Sequence, residues 1–304
     1  MSVSLPQLVK SPRKGVMPGN PACMGCPHTI GLKIVGRVLG DRAVLVVPAG
    51  CTSIIVGYGG KESLDMAYVH VPFASAAAVA AGLAAAFEKR GLTDRVVVAW
   101  MGDGGGADIG FATLSGAAIR NDNIIAIVSD NEAYMNTGIQ ASSTTPWKAR
   151  TTTSPVIGKT EEKKDLATIM LMHKVPYVAT ASVGYPLDFA AKLKRAAEIK
   201  GFRFIHLHSP CPTGWRFDAS KTVEMAKLAV ETGAWILWEY NQGRFEISPP
   251  SKPFADPSKR KPLKDYIRAQ GRFSHLTDED IEFIARKIEE NWRVVQMLEK
   301  LFSS

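Results

Sequence analysis

Cysteine is scarce in this 304-residue chain: four residues, too few to staple an extracellular disulfide framework. No signal-type apolar core opens it, and the basic, turn-rich start predicts an extended arm over residues 1–20. The longest near-apolar run, residues 73–87, falls short of a bilayer span, and Ser75 and Gly82 suit a packed helix of a soluble protein. Glycine and proline are near average and unperiodic, which excludes collagen-like and coiled-coil classes. No internal repeat stands out, and no Gly-x-Gly-x-x-Gly dinucleotide fingerprint or nucleic-acid-binding motif is visible. The expectation is a soluble, cytoplasmic protein with reduced thiols, without a nucleic-acid or membrane partner.

What is present is ordinary globular material, 46% hydrophobic and 22% charged, with a net charge of +8. That surplus suits anionic small molecules or an acidic protein partner, without choosing between them. Apolar runs at 43–48, 95–101, 123–129, 175–179 and 204–207 read as buried strands. Helical stretches at 20–39, 73–89, 108–120, 164–173 and 186–200 separate them. Strands apolar throughout, alternating with helices, predict an α/β fold with a mainly parallel sheet covered on both faces. Beyond residue 216 the pattern changes to a helix at 221–232, a hairpin at 235–247, a Pro/Lys linker and a terminal helix at 278–302. Three regions follow: an arm (1–20), an α/β domain (21–216) and a C-terminal extension (217–304) that packs on the core or on a partner.

The four cysteines are Cys23 and Cys26, spaced as a CxxC around Gly25, then Cys51 and Cys211. A turn places the first two sulfurs on one side of the backbone. The others each follow a strand, where loops at the carboxyl ends of a parallel sheet converge. Four thiolates can hold a [4Fe–4S] cluster or a structural zinc, or all four can be core filler. No second close-spaced pair is present, and Cys211-Pro212 is like the Cys-Pro at the last ligand of ferredoxin-type clusters.

A second constellation is Gly102-Asp103-Gly104 after one strand and Asp130-Asn131-Glu132-Ala133 after the next. Mg²⁺ takes hard oxygens, partly from protein and partly from phosphate. Asp103 offers a carboxylate oxygen and Asn131 an amide oxygen, while the flanking glycines admit a diphosphate to the backbone. A Gly-Asp-Gly by itself is a common turn. Paired with an Asn across a helix and a buried strand, it has the pattern of thiamine diphosphate enzymes.

Taken together, Cys23-Met24-Gly25-Cys26, Gly50-Cys51-Thr52, Gly102-Asp103-Gly104, 130–140 (DNEAYMNTGIQ) and 210–215 (PCPTGW) resemble one family. It is the 2-oxoacid:ferredoxin oxidoreductases, in their β, thiamine diphosphate-binding subunit, with the pyruvate-specific members most similar. Residues 270–273 (QGRF) extend the likeness into the tail. The resemblance implies a [4Fe–4S] cluster on Cys23, Cys26, Cys51 and Cys211. It implies Mg²⁺ on the Asp103 carboxylate, the Asn131 side chain and the Ala133 carbonyl. Asn136 and Thr137 would lie near the thiazolium and substrate, with Thr52 and Ser53 between cluster and cofactor. The implied reaction is oxidative decarboxylation of a 2-oxoacid, electrons leaving singly to the cluster and ferredoxin, coenzyme A taking the acyl group. The Glu that activates the aminopyrimidine would come from an α subunit, with γ and ferredoxin-like δ subunits completing the enzyme. Other 2-oxoacids (oxalate, phenylglyoxylate, branched-chain acids) fit the same architecture. A noncatalytic iron–sulfur or zinc module is the alternative from another class, though it would leave Asp103 and Asn131 idle.

His70, before the Ala-rich helix, is either a structural histidine or an active-site neighbour. His28 is either a donor to a cluster sulfur or a helix-start residue. No role is assigned to His206 or His208, and Glu132 reads as structural. Lys259-Arg260-Lys261 reads as a solvated face, or as an attractor of acidic ferredoxin or of coenzyme A phosphates.

Overall fold

The structure, a computed structural model, describes residues 3–12 and 14–302. Six strands run parallel: β1 (Ala43–Pro48), β2 (Ala67–Val71), β3 (Val96–Gly102), β4 (Ile125–Asp130), β5 (Tyr177–Ser182) and β6 (Arg203–His208). A hairpin of β7 (Trp238–Asn241) and β8 (Arg244–Ile247) adds to β5 antiparallel. The sheet order is β2-β1-β3-β4-β6-β5-β7-β8.

The helices up to the fourth strand are α1 (Leu5–Lys10), α2 (Pro27–Leu39), α3 (Cys51–Val56), α4 (Ala76–Lys89) and α5 (Phe111–Ile119). They continue as α6 (Leu166–Met172), α7 (Pro186–Glu198), α8 (Pro212–Trp215), α9 (Thr222–Glu231), α10 (Leu263–Arg268) and α11 (Asp278–Leu301). Among the described residues, no helix is long and apolar enough to cross a membrane.

Alternation along the strands explains why both faces are apolar. On β3, Val96, Val98 and Trp100 enter one core with Leu32 and Val35 of α2 and Phe189 of α7. Val97, Ala99 and Met101 enter the other, against Ala77 of α4, Leu114 of α5, Met170 of α6 and Trp292 of α11. A third cluster, with Trp215, Met225, Leu237, Tyr266 and Phe273, joins α9, α10 and the tail to the sheet end. The two-faced parallel sheet is the expected architecture.

Three local features differ from the sequence reading. The arm includes the helix α1 at its described positions, capped by Ser4 and Gln7; positions 1, 2 and 13 lie outside the described residues. Strand β2 forms the sheet edge, half exposed, where an apolar-run criterion finds nothing. The helix after β3 begins earlier than residue 108, as one wide turn over Gly104–Asp108 that leads into α5.

Candidate functional site

Strands β1, β3, β4 and β6 are neighbours, so the segments leaving their carboxyl ends meet on one edge of the sheet. The chain turns left from β1 to β2 and right to β3, and crevices form where strand order reverses in this way. A cavity of about 110 Å³ lies there. Its walls are Pro48 to Thr52 after β1, Gly102 to Gly105 after β3 and the segment after β4, roofed by Tyr134 to Thr137. Gly102 and Gly50 line it, and a Cβ on either would meet no protein atom within 4 Å. The N–H groups of the first turn after Asp103 lack partners within the helix, a local preference for an anion.

The floor of the cavity gathers oxygens. One terminal atom of the Asn131 amide lies 3.0 Å from the Ala133 carbonyl oxygen and 3.1 Å from Asp103 Oδ1; the other lies 3.0 Å from His28 Nε2. With the NH₂ toward Asp103 and Ala133, it donates to both. With the oxygen there, three acceptors face one another, which is stable only around a cation. Adjacent ligands of octahedral Mg²⁺ at 2.0–2.1 Å stand about 2.9 Å apart, close to these separations. The donor set therefore fits Mg²⁺.

Behind the floor, Ser142 Oγ (2.5 Å) and Thr144 Oγ1 (3.0 Å) donate to Asp103 Oδ2, and Thr144 Oγ1 also lies 2.9 Å from Asp130 Oδ1. Burial, and then the charge of Asp130, push the Asp103 carboxyl well above the usual carboxylate range. Burial also acts on Asp130, but Lys163 and His206 outweigh it and hold that carboxyl low. The pair thus keeps one negative charge readily and a second only against resistance, which a divalent cation would remove. His28, fully buried, is pushed by desolvation down to about 4 and is neutral near pH 7.

The four thiols are free. Cys26 caps α2, Cys51 begins α3 and Cys211 caps α8. Burial pushes Cys51 up to about 12, with further contributions from Cys211, Cys26 and Cys23 and from Asp103. Burial likewise raises Cys26 to about 11, and Cys211 and Cys23 add to it. Thiols that oppose one another's ionisation lie in one neighbourhood. Among the described residues, no three His, Cys, Asp or Glu side chains are gathered to hold a single metal ion; a cubane, several ångströms across, holds its ligands further apart. Cys51 also lines the cavity, so it is common to both groups.

Of the other expected site residues, Gly102, Gly104, Asn136 and Thr137 line the cavity, as does Thr52, whose Oγ1 accepts from Trp100 Nε1 at 3.0 Å. Ser53 is turned back, its hydroxyl bonded to the Gly50 carbonyl at 2.8 Å. His70 sits exposed on β2, 2.9 Å from the Gly57 carbonyl, and does not line the cavity. Sequence reasoning missed Ser142 and Thr144, visible only as a Ser/Thr-rich loop. It also missed His28 as the neighbour of Asn131, and Trp215, whose Nε1 donates to the Asn131 carbonyl at 2.8 Å.

A ligand crevice at the carboxyl edge of a parallel sheet, a glycine-flanked carboxylate and an amide one strand away define a thiamine diphosphate enzyme domain. Residues 48–207 match the family of thiamine pyrophosphate enzymes, C-terminal TPP binding domain. The chain is 49% identical to pyruvate synthase subunit PorB of Methanothermobacter marburgensis, over 86% of this chain and 90% of that one. It is 42% identical to ketoisovalerate oxidoreductase subunit VorB of Pyrococcus abyssi, over 93% of each. Among solved structures, the 2-oxoglutarate:ferredoxin oxidoreductase from Magnetococcus marinus, with 2-oxoglutarate, coenzyme A and succinyl-CoA bound, aligns with a TM-score of 0.56 and 26% identity, covering 70% of this chain and 79% of that one. The chain belongs to the 2-oxoacid:ferredoxin oxidoreductase family as its thiamine diphosphate-binding β subunit. It is a subunit of an oxidoreductase.

Proposed function

We propose that this subunit holds thiamine diphosphate, Mg²⁺ and one [4Fe–4S] cluster, and oxidatively decarboxylates pyruvate with coenzyme A, passing electrons to ferredoxin. The observation that carries the reading is one terminal atom of the Asn131 amide lying 3.0 Å from the Ala133 carbonyl oxygen and 3.1 Å from Asp103 Oδ1, at the floor of a glycine-walled crevice. Those oxygens would hold Mg²⁺, and the turn at Gly102 to Gly105 would receive the diphosphate. Cys23, Cys26, Cys51 and Cys211 would hold the cluster, which the mutual electrostatics of their thiols supports. Bound there, thiamine diphosphate supplies the carbon that attacks the 2-oxoacid, and the cluster takes the electrons singly.

The remaining work falls to the chain's own side chains. Cys51 and Thr52 line the cavity, and Cys51 also belongs to the thiol group, so a cluster held by the four cysteines would adjoin the cavity through that residue. Asn136 and Thr137, exposed in the segment that roofs the cavity, would orient a substrate carboxylate or keto oxygen by hydrogen bonds. Phe73, Tyr134 and Trp100 wall the cavity against water. No Glu is among the described lining residues, in keeping with an α subunit that supplies the activating Glu and the pyrimidine-binding domain. His70, exposed on the edge strand, would face that partner. Residues 21–216 form the cofactor domain, and 217–304 an extension braced on it. The +8 charge suits acidic ferredoxin or ferredoxin-like subunits and a cytoplasmic setting.

A branched-chain 2-oxoacid is the second reading, favoured by the ketoisovalerate relative that covers 93% of the chain. The test is the assembled enzyme supplied with pyruvate, 2-ketoisovalerate or 2-oxoglutarate, following coenzyme A-dependent ferredoxin reduction. Pyruvate is expected to give the highest kcat/KM. A higher value for 2-ketoisovalerate would support the second reading, and no reduction with any 2-oxoacid would refute both.

A further inference from the structure

Between Asn131 and Ala133, the two residues proposed to flank the metal, Glu132 has a left-handed backbone (φ 63°), unusual for a residue with a side chain. That conformation sends its carboxylate away from the cavity while its neighbours' oxygens face inward. The carboxylate is buried, and two cations hold it: Lys163 Nζ at 2.6 Å from Oε1 and Arg272 Nη2 at 2.6 Å from Oε2. Arg272 belongs to the tail, 140 residues away, and is itself 3% exposed. Its guanidinium lies 3.7 Å over the Trp215 ring, the same ring whose N–H donates to the Asn131 carbonyl. Gln270 accepts from Arg272 Nε at 2.9 Å, and the Arg272 carbonyl accepts from Arg150 N–H at 3.1 Å, so the guanidinium is fixed from behind. Thr145 Oγ1, donating to the Glu132 carbonyl at 2.6 Å, closes the clamp.

We infer that Arg272 is a positioning residue for the cofactor metal: through Glu132 and Trp215 it fixes the loop whose Asn131 and Ala133 oxygens take Mg²⁺. The inference rests on the proposed metal site and adds a residue from the C-terminal extension to it. Arg is suited to the place because its planar fork can bond Glu132 and Gln270 while its face stacks on Trp215. Lys163 donates one hydrogen bond to Glu132 Oε1 and is shared with Asp130 Oδ2, 3.2 Å away, and it makes no contact with Trp215 or Gln270 that would orient it as the fork is oriented. The clamp also floors a second cavity of about 300 Å³ under α10 and α11, so a shorter side chain at 272 opens the back of the metal loop to water.

The experiment measures Mg²⁺-dependent thiamine diphosphate binding by calorimetry, and the electron paramagnetic resonance of bound Mn²⁺, in the assembled enzyme. Variants are Arg272→Gln, Arg272→Lys, Glu132→Gln and Glu132→Gly. Arg272→Gln and Glu132→Gly are expected to weaken metal affinity about 10–100-fold, the usual effect of removing a group that orients a metal ligand. Glycine accepts the positive φ without strain, so a loss in Glu132→Gly isolates the carboxylate from the backbone. Glu132→Gln, which keeps shape but not charge, and Arg272→Lys, which keeps charge but not the fork, are expected to fall between these and the wild type. The Mn²⁺ spectrum of Arg272→Lys should broaden, which a purely structural ion pair would not cause. Wild-type affinity and spectrum in Arg272→Lys and Glu132→Gly, with only the melting temperature lowered, would overturn the inference. A wild-type enzyme that takes up neither Mg²⁺ nor thiamine diphosphate would instead overturn the functional reading, and this inference with it.

Discussion

Asp103 receives two hydroxyl donors and still holds its proton more tightly than an ordinary carboxyl, because burial and Asp130 outweigh Ser142 and Thr144. A metal must displace that proton. Mg²⁺ uptake is therefore expected to release protons above the ordinary carboxylate range, and affinity should fall as pH falls through the raised Asp103 value. Calorimetry in buffers of different ionisation enthalpy reads this directly; buffer-independent heats would contradict it. The stability consequence has the same origin. Without metal the folded state binds this proton more tightly than the unfolded chain, so this group's contribution to stability is present at acid pH and is lost as pH rises through the raised value. Saturating Mg²⁺ should remove that loss. Asn131 adds a local signature of the proposed site: on Mg²⁺ binding its amide would present oxygen to the metal, its NH₂ would donate to His28 Nε2, and the imidazole proton would sit on Nδ1.

At the scale of elements, the turn over Gly104–Asp108 shows how closely backbone and site are fitted. A Cβ on Gly104 would stand 2.5 Å from the Tyr134 ring, which walls the cavity. Gly104→Ala must push that ring inward or the turn outward. We expect about tenfold or greater loss of thiamine diphosphate affinity with the visible cluster spectrum unchanged; unaltered binding would refute the assignment of this turn to the diphosphate. The long elements were legible because buried parallel strands are apolar runs: 43–48 (AVLVVP) is β1 residue for residue. Shorter or exposed ones were not. Helix α3 is six residues of mostly β-branched type with no helical period to detect. Strand β2, at the sheet edge, has no fully buried residue. The loop after Gln140 looked like a connector because hydroxyls carry no periodicity, yet Ser142 and Thr144 donate to the Asp103 carboxylate and Thr145 to the Glu132 carbonyl from behind the cavity. Asp103, Asn131 and the cysteines stood out in the sequence because the chemistry expected of them needs particular residue types at strand ends, whereas Arg272 and Glu132 meet only through folding.

For the whole molecule, burial of neutral histidines sets the acid limit. His28 is lowered from 6.5 to about 4 and His208 to about 3, in each case mainly by desolvation. A depressed histidine is protonated first in the unfolded chain, so stability falls as pH drops from about 6.5 toward 4 for His28 and toward 3 for His208. The loss is on the order of 3–5 kcal/mol for each group. Melting temperature against pH should show a steep fall over that window, softened in His28→Gln; a flat profile would contradict the burial argument. The extension beyond residue 216 matters at this scale as well, because it adds β7 and β8 beside β5 and brings Arg272 to Glu132. The most direct test of the central claim is cofactor content in the assembled enzyme, wild type against Asp103→Ala, measured as thiamine diphosphate, magnesium, iron and sulfide per β chain. The account predicts that the variant loses thiamine diphosphate and magnesium but keeps iron and sulfide in cluster proportion. Thiamine diphosphate and magnesium at wild-type occupancy in Asp103→Ala, or a colourless wild-type subunit carrying zinc, would contradict it.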